Sequence, residues 1–289
     1  MSLYAAIDIG TNSSRLLIGE KVFGKVIPKQ MALRTTRLGE DLSQTGIIKK
    51  AAIDRTIKAL FDFLEYMEKW DIAEVGVVAT SAAREADNKE DFIKTIEEKT
   101  GLKVKIISGQ EEASLSYRGA VSGVSVSGNP VVIDIGGGST EIMCAAGEDI
   151  YVSSTKVGAV NCTENSTTPT EILEKLSGTL EKVKSFKDVS FVGVGGTITT
   201  LSAIKQKLEV YDPGKIHNSI LKKEDVDKIF FELCSLTLAQ RKKVPGLQPQ
   251  RADIIVAGTL ILWVIMTDLN VAEITVSEAD ILHGIILDL

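Results

Sequence analysis

AAIDIGTNSSRLLI, Ala5 to Ile18, and VVIDIGGGSTEIMC, Val131 to Cys144, decide how this chain is read. Laid over one another at an offset of 126 residues, Asp8, Ile9, Gly10 and Ser13 fall on Asp134, Ile135, Gly136 and Ser139. Each copy is an apolar run, a short turn of small polar residues, and a second apolar run, the pattern of a β-hairpin. Isolated Asp-Gly turns are common. The extended match, and the similar flanking periods in each half of the chain, favour duplication. The reading is a repeated α/β domain, with the two hairpins facing one another across a cleft.

Outward from the first copy, Lys25 to Leu33 completes a meander. A helix is expected from Lys49 to Trp70, with Ile53, Ile57, Leu60, Phe61 and Leu64 on one face. A strand Glu74 to Ala79, a loop Thr80 to Arg84 and a helix Lys89 to Thr100 follow, the helix capped by Asn88 and ended by Gly101. Lys103 to Ile107 reads as a strand and Glu111 to Gly119 as a short helix. The Ser- and Gly-rich stretch Val121 to Asn129 is the expected junction, giving domains 1–121 and 122–279. After the second copy come a helix Thr170 to Phe186, a strand Ser190 to Val194 leading through Gly195-Gly196-Thr197 into a helix, and a polar segment 206–220. The helix Lys223 to Leu236, a buried helix from Gln250 and the strand Glu273 to Val276 complete the second half. The last segment, 280–289, is a helix expected to pack back on the first domain.

Composition bounds the function. The 289 residues carry a formal charge of −6, with 25% charged and 44% hydrophobic residues, as in an ordinary globular protein. No global basic footprint for nucleic acid exists. Three cysteines without a CxxC pair suggest a reduced, cytoplasmic protein rather than a disulfide framework. The N-terminus does not read as a secretory signal. The apolar run Ile254 to Met266 is 13 residues long, short of the ~20 a bilayer needs, and is expected to be core. Two histidines, His217 and His283, make a His-based triad improbable.

The chemistry sits in the turns. Glycine lets a phosphate approach backbone N–H groups closely. Gly10, Thr11, Asn12, Ser13 and Gly136, Gly137, Gly138, Ser139 are candidate phosphate cradles, with Ser14 and Thr140 as further hydroxyls. Asp8 and Asp134, each ending a strand, suit a hydrated Mg²⁺, which prefers oxygen ligands. Gly195, Gly196 and Thr197 open a helix, whose N-terminus favours an anion. They match neither a Rossmann fingerprint nor a Walker loop. Arg251-Ala252-Asp253 is expected to cap or orient the buried helix.

Six blocks then carry a resemblance: AAIDIGTNSSRLLI, VVATSAAREADN (Val77 to Asn88), IISGQEEASLSYRGA (Ile106 to Ala120), VVIDIGGGSTEIM, GVGGTITTL (Gly193 to Leu201) and VPGLQPQRADIIVAG (Val244 to Gly258). In this order they resemble the exopolyphosphatase / guanosine pentaphosphate phosphohydrolase family, within the actin, Hsp70 and sugar kinase superfamily. The resemblance covers essentially the whole chain. It implies two actin-like, ribonuclease-H-like α/β domains flanking a cleft, and Mg²⁺-dependent hydrolysis of terminal phosphoanhydrides. The substrate is inorganic polyphosphate or guanosine pentaphosphate. It further implies Glu112 as general base with Glu111 supporting it, Arg84 and Arg15 as phosphate ligands, and Asp8, Asp134 and Glu141 at the metal. Some family members continue into a further helical domain that this sequence does not show, so chain-length preference and dimer contacts stay open. A homodimer is compatible with the sequence, and neither nucleic acid nor a membrane is expected as a partner. Two rivals remain: an ATP-dependent small-molecule kinase, disfavoured by IISGQEEA, and a non-catalytic sensor, disfavoured by Glu111 with Glu112.

Overall fold

The structure, a computed structural model, describes residues 2–146 and 149–289. In chain order the first half carries β1 (Leu3–Ile9), β2 (Ser13–Val22), β3 (Lys25–Thr35), α1 (Leu42–Thr45), α2 (Lys50–Met67), β4 (Ile72–Ala79), α3 (Ser81–Glu85), α4 (Lys89–Thr100), β5 (Lys105–Ile106) and α5 (Gly109–Ser122). The second carries β6 (Asn129–Ile135), β7 (Thr140–Ala146), β8 (Asp149–Thr155), α6 (Ala159–Glu164), α7 (Pro169–Lys184), β9 (Val189–Val194), α8 (Gly195–Lys205), α9 (Pro213–Ile216), β10 (Ile220–Lys222), α10 (Lys223–Ser235), α11 (Leu238–Arg241), α12 (Ile255–Asp268) and β11 (Glu273–Val276). The chain ends in α13 (Ile281–Asp288). Two compact units result: the chain through Ser122 with Asp280–Leu289, and Gly123–Ala279.

The repeat is visible in the topology. One sheet runs β3-β2-β1-β4-β5, the other β8-β7-β6-β9-β11-β10. β1 is antiparallel to β2 and parallel to β4, and β6 is antiparallel to β7 and parallel to β9. Asp8 faces Arg15 across the first hairpin, and Asp134 faces Glu141 across the second. Those pairs are related by the same 126-residue offset.

Both faces of β1 are covered, which is why its sequence is a continuous apolar run rather than an alternating one. Ile7 and Ile9 pack with Leu60, Phe63, Phe92 and Ile96 of α2 and α4. Ala6 packs on the opposite side with Leu115 of α5 and with Ile281, Leu282 and Ile285 of α13. Each fully buried Leu, Ile or Phe contributes about 1.5–3 kcal/mol relative to exposure. α5 and α13 cross closely: a Cβ on Gly119 would overlap the Asp280 carbonyl, and one on Gly284 the Leu115 carbonyl. Arg118 and Asp288 close the same crossing with an ion pair. In the second unit α12 is apolar all round and buried, with Ile261, Leu262 and Ile265 wholly inaccessible. Among the described residues no helix is long and apolar enough to cross a membrane.

Several expectations need correcting. The segment 80–84 is not a loop: Ser81–Glu85 is a helical turn, α3. α2 stops at Met67, and Phe63, not Phe61, belongs to its buried stripe with Ala52, Thr56, Leu60 and Met67, while Phe61 is exposed. Asn88 does not cap α4 with its side chain; the carboxamide instead bonds both the N–H and the carbonyl of Ile48, joining two loops. β5 is only two residues long, and β8 and α6 follow β7 where no element was expected.

Candidate functional site

Parallel strands carry their following loops to one edge of a sheet, the usual ligand edge of α/β units. In the first unit Thr80 N–H donates to the Ile9 carbonyl and Ile107 N–H to the Ala79 carbonyl. The turn after β1, the start of α3 and the start of α5 therefore share that edge. In the second unit the turn after β6 and the start of α8 lie at the ends of neighbouring parallel strands, and Ser277 N–H donates to the Gly193 carbonyl.

The two hairpin turns are closed alike. Gly10 N–H donates to the Ser13 carbonyl at 3.0 Å and Gly136 N–H to the Ser139 carbonyl at 2.9 Å. In each, the following segment takes up the turn's carbonyls. Thr36 and Arg37 donate to Asn12, and Gly39 to Thr11; Ala159 donates to Gly136 and Val160 to Gly137. Asn161 Nδ2 donates to the Gly138 carbonyl. With the carbonyls occupied, the N–H groups of Thr11, Asn12, Gly137 and Gly138 donate to no backbone acceptor among the described residues, the arrangement an anion requires. Gly158 permits the approach of α6, since a Cβ there would overlap the Gly137 carbonyl. The hydroxyls divide. Ser14 and Thr140, equivalent in the repeat, are buried and turned inward, to Thr36 and to the Val157 carbonyl, so neither is a phosphate donor. Thr197 is buried against Gly258 and leaves only its backbone for a ligand.

The carboxylates differ between the units. Asp8 Oδ2 accepts two bonds from Arg15, at 3.1 Å from Nε and 2.6 Å from Nη2. Arg15 Nη1 bonds Asp280 Oδ2. Arg15, expected to hold phosphate, thus stands between two carboxylates. Asp8 Oδ1 is buried without a partner. Burial pushes the Asp8 carboxyl up against the opposing pull of Arg15. Burial also acts to raise Asp280, but Arg15 and His283 hold it well below the usual carboxylate range. In the second unit Asp134 stands opposite Glu141, and Glu141 Oε1 accepts from Ser154 Oγ at 2.6 Å. Gly195, at φ +83°, lies against Asp134 Oδ1 where any side chain would collide. Among the described residues no three acidic, His or Cys side chains gather as a cation site. Two facing carboxylates plus water fit Mg²⁺, which usually keeps several waters.

Glu112 lies in the first turn of α5, where its N–H donates to the Ser108 carbonyl. Its Oε2 accepts from Arg84 Nη1 at 3.0 Å, and the same nitrogen donates to the Ile107 carbonyl at 2.8 Å. The structure thereby brings together two residues 28 apart in sequence. Glu111 turns away to an ion pair with Lys105. Arg34 and Arg118 are paired with Asp62 and Asp288.

Arg251 was missed. It ends a 3₁₀ turn, Pro249–Arg251, and α12 begins only at Ile255, so it does not cap that helix. Its guanidinium lies against Gly196, in the first turn of α8. A Cβ at Gly196 would meet the guanidinium and require it to shift. Tyr211, which bonds Glu278, sits in the same charge neighbourhood; burial and Glu278 push its phenol up. The sequence signal was the pairing of a glycine at a helix start with an arginine 55 residues later, which no local pattern exposes.

Comparison with known proteins places the chain in a family. The Ppx/GppA phosphatase family model matches residues 18–289. Exopolyphosphatase 2 of Mycobacterium tuberculosis is 36% identical, over 99% of this chain and 98% of that protein. The bifunctional 3-dehydroquinate synthase/phosphatase of Fusobacterium nucleatum is also 36% identical, but this chain spans only 46% of its length. The crystal structure of the type II variant of the Aquifex aeolicus Ppx/GppA phosphatase superposes with a TM-score of 0.88 at 28% identity, covering 100% of this chain and 99% of that one. A second structure of the Aquifex aeolicus family member gives 0.88 at 31% identity, covering 99% and 97%. A two-domain actin-like fold, matched along nearly its whole length, makes this chain a member of the Ppx/GppA phosphatase family.

Proposed function

We propose that this chain releases orthophosphate from the end of inorganic polyphosphate, with guanosine pentaphosphate as the second candidate substrate. The observation that carries the reading is Glu112, held by Arg84 at the ligand edge of the first sheet. A water attacks the terminal phosphorus, the bridging P–O bond breaks, and Glu112 takes the water's proton. Arg84 orients that carboxylate and adds positive charge for the phosphate oxygens. The hairpin N–H groups and the start of α8, with Arg251 beside it, bind anionic oxygens. Phosphoryl transfer asks little else of a protein than positioning and charge neutralisation.

Asp134 and Glu141 are the side chains assigned to Mg²⁺, which when bound supplies charge to the phosphate. Asp8 already has a cation in Arg15 and keeps one unpartnered oxygen, Oδ1, for a hydrogen-bond donor. Glu111, paired with Lys105, supports the start of α5 rather than the water. Three free cysteines fit a reducing cytoplasm.

The test is phosphate release from polyphosphate, guanosine pentaphosphate and ATP with Mg²⁺, for the wild type and Glu112→Gln. Release that falls roughly 10²- to 10⁴-fold in the variant supports the base. Equal release in both proteins moves the base elsewhere, and release from none of the three overturns the reading.

A further inference from the structure

We propose that Asp280 is a positioning residue that fixes the Arg15 guanidinium against Asp8, so that the first hairpin presents a neutralised carboxylate and accepts an anion. One guanidinium is shared between two carboxylates, Asp8 and Asp280. Asp8 is 7% exposed, while Arg15 and Asp280 keep 31% and 32% of their side chains in solvent. Asp8 is the penultimate residue of β1, three and four residues before Thr11 and Asn12, whose N–H groups donate to no backbone acceptor among the described residues. An unbalanced carboxylate there would repel the phosphate those N–H groups are placed to bind. Arg15 supplies the balance, but a long side chain that is partly exposed has other rotamers available. Asp280 removes them by holding Nη1 while Asp8 holds Nε and Nη2.

The two oxygens of Asp280 do separate work. Oδ2 meets Arg15; Oδ1 accepts from Leu282 N–H at 3.0 Å and caps α13. Asp280 N–H in turn donates to His283 Nδ1, which sets the turn entering the helix. The cap and the ion pair are therefore separable by substitution. Asn and Ser cap helices about as well as Asp but carry no charge.

The inference rests on the phosphate-hydrolase reading for its kinetic arm only. Tripolyphosphate is the probe, with binding followed by calorimetry and release followed as kcat and KM. Asp280→Asn and Asp280→Ser are expected to stay folded, with melting temperatures below the wild type by the lost ion pair, and to keep kcat within about threefold. Their Kd and KM for tripolyphosphate should rise roughly 5- to 30-fold, the scale of a lost charge-assisted bond. Asp280→Ala should add a fall in melting temperature through the lost cap. In an Arg15→Gln background Asp280→Asn should add less than about twofold, because its route to the ligand is gone. Wild-type affinity in both Asn and Ser variants, an undiminished effect in the Arg15→Gln background, or loss of folding in both variants would overturn it. A wild type that binds tripolyphosphate without releasing phosphate would end the hydrolase reading and leave the positioning role to be judged on affinity. A wild type that does not bind it would end the positioning role.

Discussion

The two hairpins share a backbone and differ in one residue of charge. Both end a buried strand in Asp-Ile-Gly, close the turn through the same glycine N–H, and bury a hydroxyl at the equivalent place, Ser14 or Thr140. Opposite the aspartate, the first copy has Arg15 and the second Glu141. The first thereby carries its own cation, and we propose an anion there; the second sets two carboxylates opposite one another, and we propose the divalent cation there. Duplication provides two similar scaffolds, and the proposed division of work between them rests on a single cross-strand position.

Exchanging the character of that position should have the largest effect. Glu141→Arg would give the second hairpin the charge of the first, and phosphate release should fall by at least about 100-fold while folding is kept, since metal charge on the phosphate is worth several kcal/mol. Activity assays across a Mg²⁺ series with a parallel urea titration check this. Arg15→Ala breaks the balance from the other side. It strands the buried Asp8 carboxylate and should cost about 3 kcal/mol at neutral pH. The pH dependence has a definite sign. Burial raises Asp8 in the native state, and without Arg15 nothing opposes it. The native state then holds a proton that the unfolded state has released above pH ~3.9. Stability of the variant therefore falls as pH rises from about 4 through the raised native value, and its deficit shrinks in acid. Urea midpoints between pH 4.5 and 8 would show it. Asp280 acts oppositely in the wild type. Its depressed pKa gives stability present above pH ~3.9 and lost on acidification.

Gly119→Ala tests the α5–α13 crossing of the first unit. The new Cβ meets the Asp280 backbone, so about 2 kcal/mol of stability should be lost, with α5 and Glu112 disturbed together. The smallest effects separate the buried hydroxyls. Thr140→Val deprives the Val157 carbonyl of its 2.6 Å bond and should cost about 1 kcal/mol. Ser14→Ala, whose contact to Thr36 is 3.3 Å, should cost less. Equal losses would mean the two copies are held more alike than their bonding indicates.

The fold was legible because its evidence is periodic and local. The repeat, the apolar runs of β1 and β6, and the all-apolar α12 each follow from burial on particular faces. What stayed hidden depends on partners far along the chain. Arg15 could be read as a phosphate ligand because Asp280, 265 residues away, is invisible from the hairpin. Arg251 looked like a helix cap because Gly196 gives no sign of what presses on it. Glu111 and Glu112 are adjacent, and only Lys105 and Arg84 separate their orientations. Phe61 reads as core because it keeps the i, i+4 spacing with Ile57, yet Phe63, two residues on and nearly on the opposite face, is the buried aromatic.

The division between the hairpins is open to one direct measurement. Mn²⁺, a carboxylate-seeking stand-in for Mg²⁺, can be titrated into the wild type, Glu141→Gln and Asp8→Asn and followed by electron paramagnetic resonance. Affinity should fall about tenfold or more in Glu141→Gln, as for loss of a charged ligand, and stay within about twofold in Asp8→Asn. Affinity lost in Asp8→Asn and kept in Glu141→Gln would place the cation on the first hairpin and contradict the assignment.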